Sequence, residues 1–132
     1  MDVRKHFILA RPVAQSNKRR WVYLLLCVLC AGIGWILSFT YRPYIYANHI
    51  DDWHLADTIG NIMAVPAAAF LFYAVQKTVR QTQLAVLMLD FFSWCLYEFV
   101  FSMTFDWWDI LASGLMCLIT YPFLLILEKH LP

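Results

Sequence analysis

Charged residues are scarce in this chain of 132 residues: they make up 14% of it, against about a quarter of a soluble globular protein. Apolar residues make up 62%, and the mean hydropathy is +0.61. A soluble protein of this size needs a mostly polar surface, which this composition does not supply. The formal net charge is only +1, which disfavours nucleic-acid binding. The composition therefore indicates an integral membrane protein.

Catalytic and metal-binding motifs are also missing from the sequence. It has no Ser-His-Asp order, no G-x-S-x-G, no glycine-rich phosphate loop and no H-E-x-x-H. Cys27 and Cys30 form a C-x-x-C pair, but both lie inside an apolar run, where a role as small buried hydrophobic residues is expected. His49 and His54 lie near aspartates in the predicted outer loop. This loop is either a metal-binding site or a solvated polar segment. We expect no cofactor, no metal and no catalytic residue.

Four apolar runs are each long enough to cross a bilayer, since about 20 helical residues cover roughly 30 Å of hydrocarbon. Pro66 and Pro122 predict bends in the second and fourth of them. A basic segment, residues 1–20, precedes the first run. The predicted fold is an all-α integral membrane protein with four transmembrane helices, over about residues 21–41, 57–76, 84–103 and 109–127.

The basic residues are unevenly distributed between the connections. Nine of the ten lie in the N-terminal segment, between the second and third spans or at the C-terminus: Arg4, Lys5, Arg11, Lys18, Arg19, Arg20, Lys77, Arg80 and Lys129. The positive-inside rule places these three regions in the cytoplasm, so both termini are predicted to be inside. The other two connections then face outward, with Arg42 as their one basic residue.

Two carboxylates, Asp90 and Glu98, interrupt the third span. A charge in hydrocarbon costs at least ~2.5 kcal/mol, so each must face protein or water, or be protonated. Glu98 lies at the depth predicted for three other polar residues, whereas Asp90 has no predicted partner. Topology thus predicts an outward-facing polar cluster of Asp57, Asn61, Glu98 and Asp109. The cluster is either a pocket for a headgroup or cation, or hydrogen-bonded glue in which Asp57 and Asp109 cap helices.

Aromatic residues, 17% of the chain, exceed what four helices can bury among themselves. Many must therefore face lipid or a partner protein. Phe91, Trp94, Tyr97 and Phe101 recur at three- and four-residue spacing along the third span. They are the candidates for a lateral contact with a membrane-protein partner. Packing of the same rings inside the bundle is the alternative.

The order of polar residues in the last three spans carries a family resemblance. Gly60, Asn61 and Pro66 lie in one span, Glu98 lies near the outer end of the next, and Asp109 opens the last. Over about residues 57–132, this order resembles the VanZ-like family of small bacterial membrane proteins. The resemblance implies a multi-pass protein of the bacterial inner (cytoplasmic) membrane that is connected with the cell envelope. It does not define a molecular activity.

Three functions are compatible with these observations. The first is a VanZ-like envelope protein, non-enzymatic or of undefined activity, whose polar cluster contacts a lipid or glycan headgroup. The second is an accessory or structural subunit of a larger membrane complex. The third is a membrane enzyme acting on lipid-linked phosphates, which would need the histidine and aspartate loop to bind metal. The expected partners are the lipid bilayer and a membrane protein on the aromatic face.

Overall fold

Four long α-helices dominate the part of the chain that the computed structural model describes, residues 2–101 and 106–131. All four are long and apolar enough to cross a membrane, as predicted. In chain order the elements are α1 (Arg4–Phe7), β1 (Ile8–Ala14), α2 (Asn17–Ala47), α3 (Leu55–Val75), β2 (Thr78–Gln81), α4 (Gln83–Val100) and α5 (Trp107–His130).

The helix bounds differ from the predicted spans at several helix ends. α2 begins after Ser16, whose hydroxyl accepts a hydrogen bond from the Arg19 amide at 3.3 Å. It continues through Pro43 to Ala47, so it is longer at both ends than the predicted span. α5 begins at Trp107, before the predicted start. The predicted end of the third span, near residue 103, lies outside the described residues.

The basic N-terminal segment folds back onto the connection between α3 and α4. β1 and β2 form an antiparallel two-stranded sheet in which Val13 pairs with Val79 and Ala14 with Thr78. The Gln15 side-chain amide adds a 2.7 Å hydrogen bond to the Tyr73 carbonyl. The sheet, the start of α2 and the last turn of α5 thus share one end of the bundle, the basic end. The opposite end, with the 48–54 loop, is the loop end.

A largely buried ion pair joins the first and last long helices at the basic end. The Arg19 guanidinium donates a hydrogen bond to one Glu128 carboxylate oxygen, and the Tyr23 hydroxyl donates to the other. Tyr23 is fully buried and stacks on Tyr73, with ring centroids 4.9 Å apart. The hydrophobic core continues below these rings with Phe70 and other apolar residues of α3, α4 and α5. This contact therefore ties α2 to both α3 and α5.

Small residues allow α2 and α3 to approach closely in their middle turns. A Cβ atom placed on Gly34 would lie 2.8 Å from the Cβ of Met63, so only a hydrogen fits there. Other small side chains line the shallow groove between the same helices, among them Ala31, Ser38 and Ala64. Such residues are what lets helix backbones pack tightly in membrane proteins.

Candidate functional site

Three of the four predicted polar residues meet where α3, α4 and α5 converge near the loop end. The Asn61 side-chain amide donates to the Asp109 carbonyl oxygen at 3.3 Å. The Glu98 and Asp109 carboxyl groups lie close enough together for their charges to act on each other. The Ser113 hydroxyl donates to the same Asp109 carbonyl at 2.8 Å. The polar cluster in the structure therefore consists of Asn61, Glu98 and Asp109, without Asp57.

Glu98 is the most buried acid of the polar cluster. It is only 5% exposed, although much of α4 is exposed. One of its carboxylate oxygens, Oε2, is buried and has no hydrogen-bond partner among the described residues. A buried carboxylate oxygen without a donor is unfavourable, since its desolvation is not compensated. This oxygen is therefore where a donor from a ligand would gain most.

Asp57, the fourth predicted residue, lies beside the polar cluster and makes different contacts. Its carboxylate accepts a hydrogen bond from the Tyr46 hydroxyl, and its Oδ2 lies 3.2 Å from Nδ1 of His54. The His54 ring stacks on Trp108, with centroids 4.6 Å apart. Asp57 is exposed, but it is close enough for its charge to act on Asp109. It therefore forms the rim of the site rather than its centre.

Neither Asp57 nor Asp109 caps a helix, so the capping alternative is wrong. The residue before α3 is His54, and its side chain makes no capping hydrogen bond. An amide of the first turn of α3, that of Ala56, instead donates to Asp52 Oδ2 at 2.8 Å. The cap of α5 is Asp106, whose side chain accepts from the Trp108 amide at 2.9 Å. The side chains of Asp57 and Asp109 are thus available for the contacts just described.

Arg42 is the functional candidate that sequence analysis missed. It lies inside the extended α2, and its Nε donates to the Ala56 carbonyl at 2.8 Å. Its guanidinium also lies 3.9 Å from where a Cβ on Gly60 would stand. Its charge could have identified it, because Arg42 is the one basic residue that the sequence predicts for the loop end. Among the described residues, the site thus has one guanidinium at its edge and several acids around its centre.

Metal binding has no support from the arrangement of side chains. Within residues 2–101 and 106–131, no group of three or more His, Cys, Asp or Glu side chains could hold a metal ion. His54 is engaged by Asp57 and Trp108. The hypothesis of a metal-binding loop at His49 and His54 therefore has no support from the described residues.

Asp90 lies apart from the polar cluster, in a groove between α3 and α4. The groove has a volume of about 230 Å³ and is lined partly by Ala68, Phe72 and Trp94. The Asp90 Oδ2 atom is buried without a hydrogen-bond partner in the described part of the chain. Asp90 and Glu98 therefore each have one buried carboxylate oxygen without a partner among the described residues.

The four aromatic candidates on α4 divide into two environments. Phe91 is partly buried, and its ring would be 3.3 Å from a Cβ on Gly114 of α5. Trp94, Tyr97 and Phe101 instead form a ladder along α4, with successive ring centroids 5.8 and 6.3 Å apart. Tyr97 and Phe101 are largely exposed. The candidate contact surface is therefore this ladder of three rings.

Chemically, the polar cluster offers hydrogen-bond acceptors to a donor-rich ligand. The Asp109 carbonyl already accepts two hydrogen bonds, so the carboxylate oxygens are the groups that remain. Hydroxyl and ammonium groups are suitable donors for them.

Comparison with protein-family models, with curated protein sequences and with solved structures finds no match to this chain.

Proposed function

We propose that this chain is a VanZ-like multi-pass protein of the bacterial inner membrane and that its polar cluster binds the headgroup of a lipid or glycan in the cell envelope. The observation that carries the proposal is the Glu98 Oε2 atom, which is buried without a partner among the described residues. In a membrane-spanning protein such a group marks a functional site by default. The headgroup supplies the missing donor.

The residues that support the resemblance also support the site. Topology and depth predict that Asn61, Glu98 and Asp109 lie close together, and they meet in space on three different helices. Gly60 lies beside them on α3, next to the guanidinium of Arg42. Hydrogen-bonded glue between helices would also bring these residues together, so the unpartnered Glu98 oxygen is what favours a ligand.

The charge of the site selects among headgroups. Glu98 and Asp109 at the centre, with Asp57 at the rim, repel phosphate and attract hydroxyl and ammonium donors. An ethanolamine or sugar headgroup fits this chemistry. A substrate whose phosphate must itself lie among these acids does not, whereas the phosphate of an ethanolamine lipid can stay outside the polar cluster. The enzyme hypothesis also needs a metal, and no group of described side chains could hold one.

A matched pair of lipids tests the proposal. Phosphatidylethanolamine and phosphatidylcholine with identical acyl chains are both zwitterionic, but only the first has N–H donors. We expect native mass spectrometry in mild detergent to show preferential retention of phosphatidylethanolamine, or of a glucosyl diacylglycerol. Glu98→Gln removes the charge and should lower that retention about tenfold, because hydrogen bonds to a charged acceptor are the stronger ones.

Asp51→Asn is the matched control, because Asp51 is an exposed acid at the same end of the bundle. It should retain lipid as the parent does. Glu98→Ala should also lower the melting temperature, since it empties the space of a buried side chain. If both Glu98 variants melt and retain lipid like Asp51→Asn, the headgroup site is wrong and Glu98 is an incidental acid that reaches the interface.

A subunit role in a larger complex is the second candidate, and the aromatic ladder favours it. Phe101 is 70% exposed and Tyr97 is 47% exposed, on a helix face that nothing in the described chain covers. Aromatic side chains are concentrated at protein interfaces. A second protein that stays bound in the same mass spectra, and is lost with Phe101→Ala, would favour this function over the first.

A further inference from the structure

We infer that the basic end carries a binding groove for an anionic phospholipid, at the opposite end of the bundle from the polar cluster. The groove lies between the first turns of α2 and the last turn of α3 and has a volume of about 360 Å³. We call it the basal groove, and its lining is Asn17, Arg20, Trp21, Leu24, Ala74 and Val75.

Arg20 places a positive charge at the edge of the basal groove that lies nearest the basic end of the bundle. Its Nε donates to the Ala74 carbonyl at 2.9 Å, which fixes the guanidinium against the C-terminal end of α3. No hydrogen bond from its terminal nitrogens to a described residue is found, so they are available to an outside ligand. A guanidinium held in this way can bind phosphate oxygens through two parallel hydrogen bonds.

The rest of the basal groove is apolar and exposed. Trp21 is 68% exposed and Val75 is 62% exposed, on either side of the groove. Leu24 lies one helical turn below Arg20 on α2, so the groove changes from cationic to apolar along the helix axis. Phospholipids have the same order, with a phosphate above an acyl chain. A free phosphate ion would leave the apolar part unused.

The charge of the whole basic end complements an anionic lipid. Nine of the ten Lys and Arg residues belong to the segments that meet there. Only Asp2 and Glu128 are acids in these segments, and Glu128 is already paired with Arg19. Basic pockets between membrane helices bind anionic headgroups, and each nearby Lys or Arg adds attraction. The occupant is therefore a phospholipid with net negative charge.

Native mass spectrometry with phosphatidylglycerol and phosphatidylcholine of identical acyl chains tests the inference. The parent protein should retain phosphatidylglycerol about five- to tenfold better. Arg20→Gln should abolish this preference. Arg80→Gln is the matched control, because it removes the same charge from β2 at the same end but outside the basal groove. It should keep the preference.

A second variant guards against misfolding of Arg20→Gln. Val75→Trp fills the basal groove without altering Arg20, and it should also lower phosphatidylglycerol retention. Equal losses in Arg20→Gln and Arg80→Gln, or unchanged retention in Val75→Trp, would overturn the groove and leave only diffuse surface charge. Displacement by inorganic phosphate alone would mark an anion site instead. The Glu98 variants should keep the preference, so this result is independent of the proposed headgroup site.

Discussion

Glu128→Ala is expected to destabilise the folded bundle by about 3 kcal/mol, which is at the lower end of the range for breaking a buried ion pair. The Glu128 side chain is 20% exposed and that of Arg19 is 8% exposed. Without Glu128, the Arg19 guanidinium and the Tyr23 hydroxyl both lose a partner. The Nε of Arg19 already has no partner in the described chain, so little remains to compensate the buried charge. Denaturant unfolding in mild detergent measures the loss.

Two further variants separate the ion pair from simple changes of helix composition. Lys129→Ala removes the next side chain, which is exposed, and should change stability by less than about 0.5 kcal/mol. The double variant Arg19→Met with Glu128→Leu should be more stable than Glu128→Ala, because no unpaired buried charge is left. If Glu128→Ala and Lys129→Ala unfold at the same denaturant concentration, the ion pair contributes nothing to stability.

Gly34→Ala is expected to weaken the packing of α2 on α3 by about 1 to 3 kcal/mol. The new Cβ would lie 2.8 Å from the Cβ of Met63 and 3.3 Å from its Cγ, so the two backbones must separate. The gain in helix propensity from alanine, up to about 1 kcal/mol, offsets part of this loss. Thermal unfolding in detergent should therefore show a lower melting temperature.

Gly32→Ala is the matched control for Gly34→Ala on the same helix. A Cβ there would meet nothing within 4 Å, so the variant should be neutral or slightly stabilised. Adding Met63→Gly to Gly34→Ala should relieve the clash, whereas Met63→Ala should not, because the clashing atom is itself a Cβ. Equal melting temperatures for Gly32→Ala and Gly34→Ala would contradict close packing at Gly34.

The four helices could be predicted from the sequence because length and apolar composition alone decide whether a segment can cross a bilayer. The contacts at the basic end could not. β2 is a short polar segment that becomes a strand only because β1 pairs with it, and β1 is far away in sequence. The sequence gives Glu128 no predicted partner, and only the fold brings it into contact with Arg19. Both features depend on long-range pairing.

The polar cluster was predicted in part for the same reason. Depth along each span follows from residue number, which is why the sequence can predict that Asn61, Glu98 and Asp109 lie near one another, as their contacts show. The direction of a side chain within that level depends on its neighbours. Asp57 turns to Tyr46 because α2 continues beyond its predicted end and brings that hydroxyl within reach.

Sidedness is the part of the proposal from which most else follows, since it places the polar cluster outside and the basal groove inside. It rests on the uneven distribution of basic residues, nine of ten at one end of the bundle. Asp51→Cys and Gln81→Cys report the two ends, because both residues are exposed and lie at opposite ends of α3.

Labelling of these two variants with a membrane-impermeant maleimide in intact cells tests sidedness directly. The background is a chain in which Cys27, Cys30, Cys95 and Cys117 are replaced. We expect Asp51→Cys to be labelled in intact cells and Gln81→Cys only after the membrane is opened. Labelling of Gln81→Cys but not of Asp51→Cys in intact cells would contradict the proposed orientation and the outward-facing headgroup site with it.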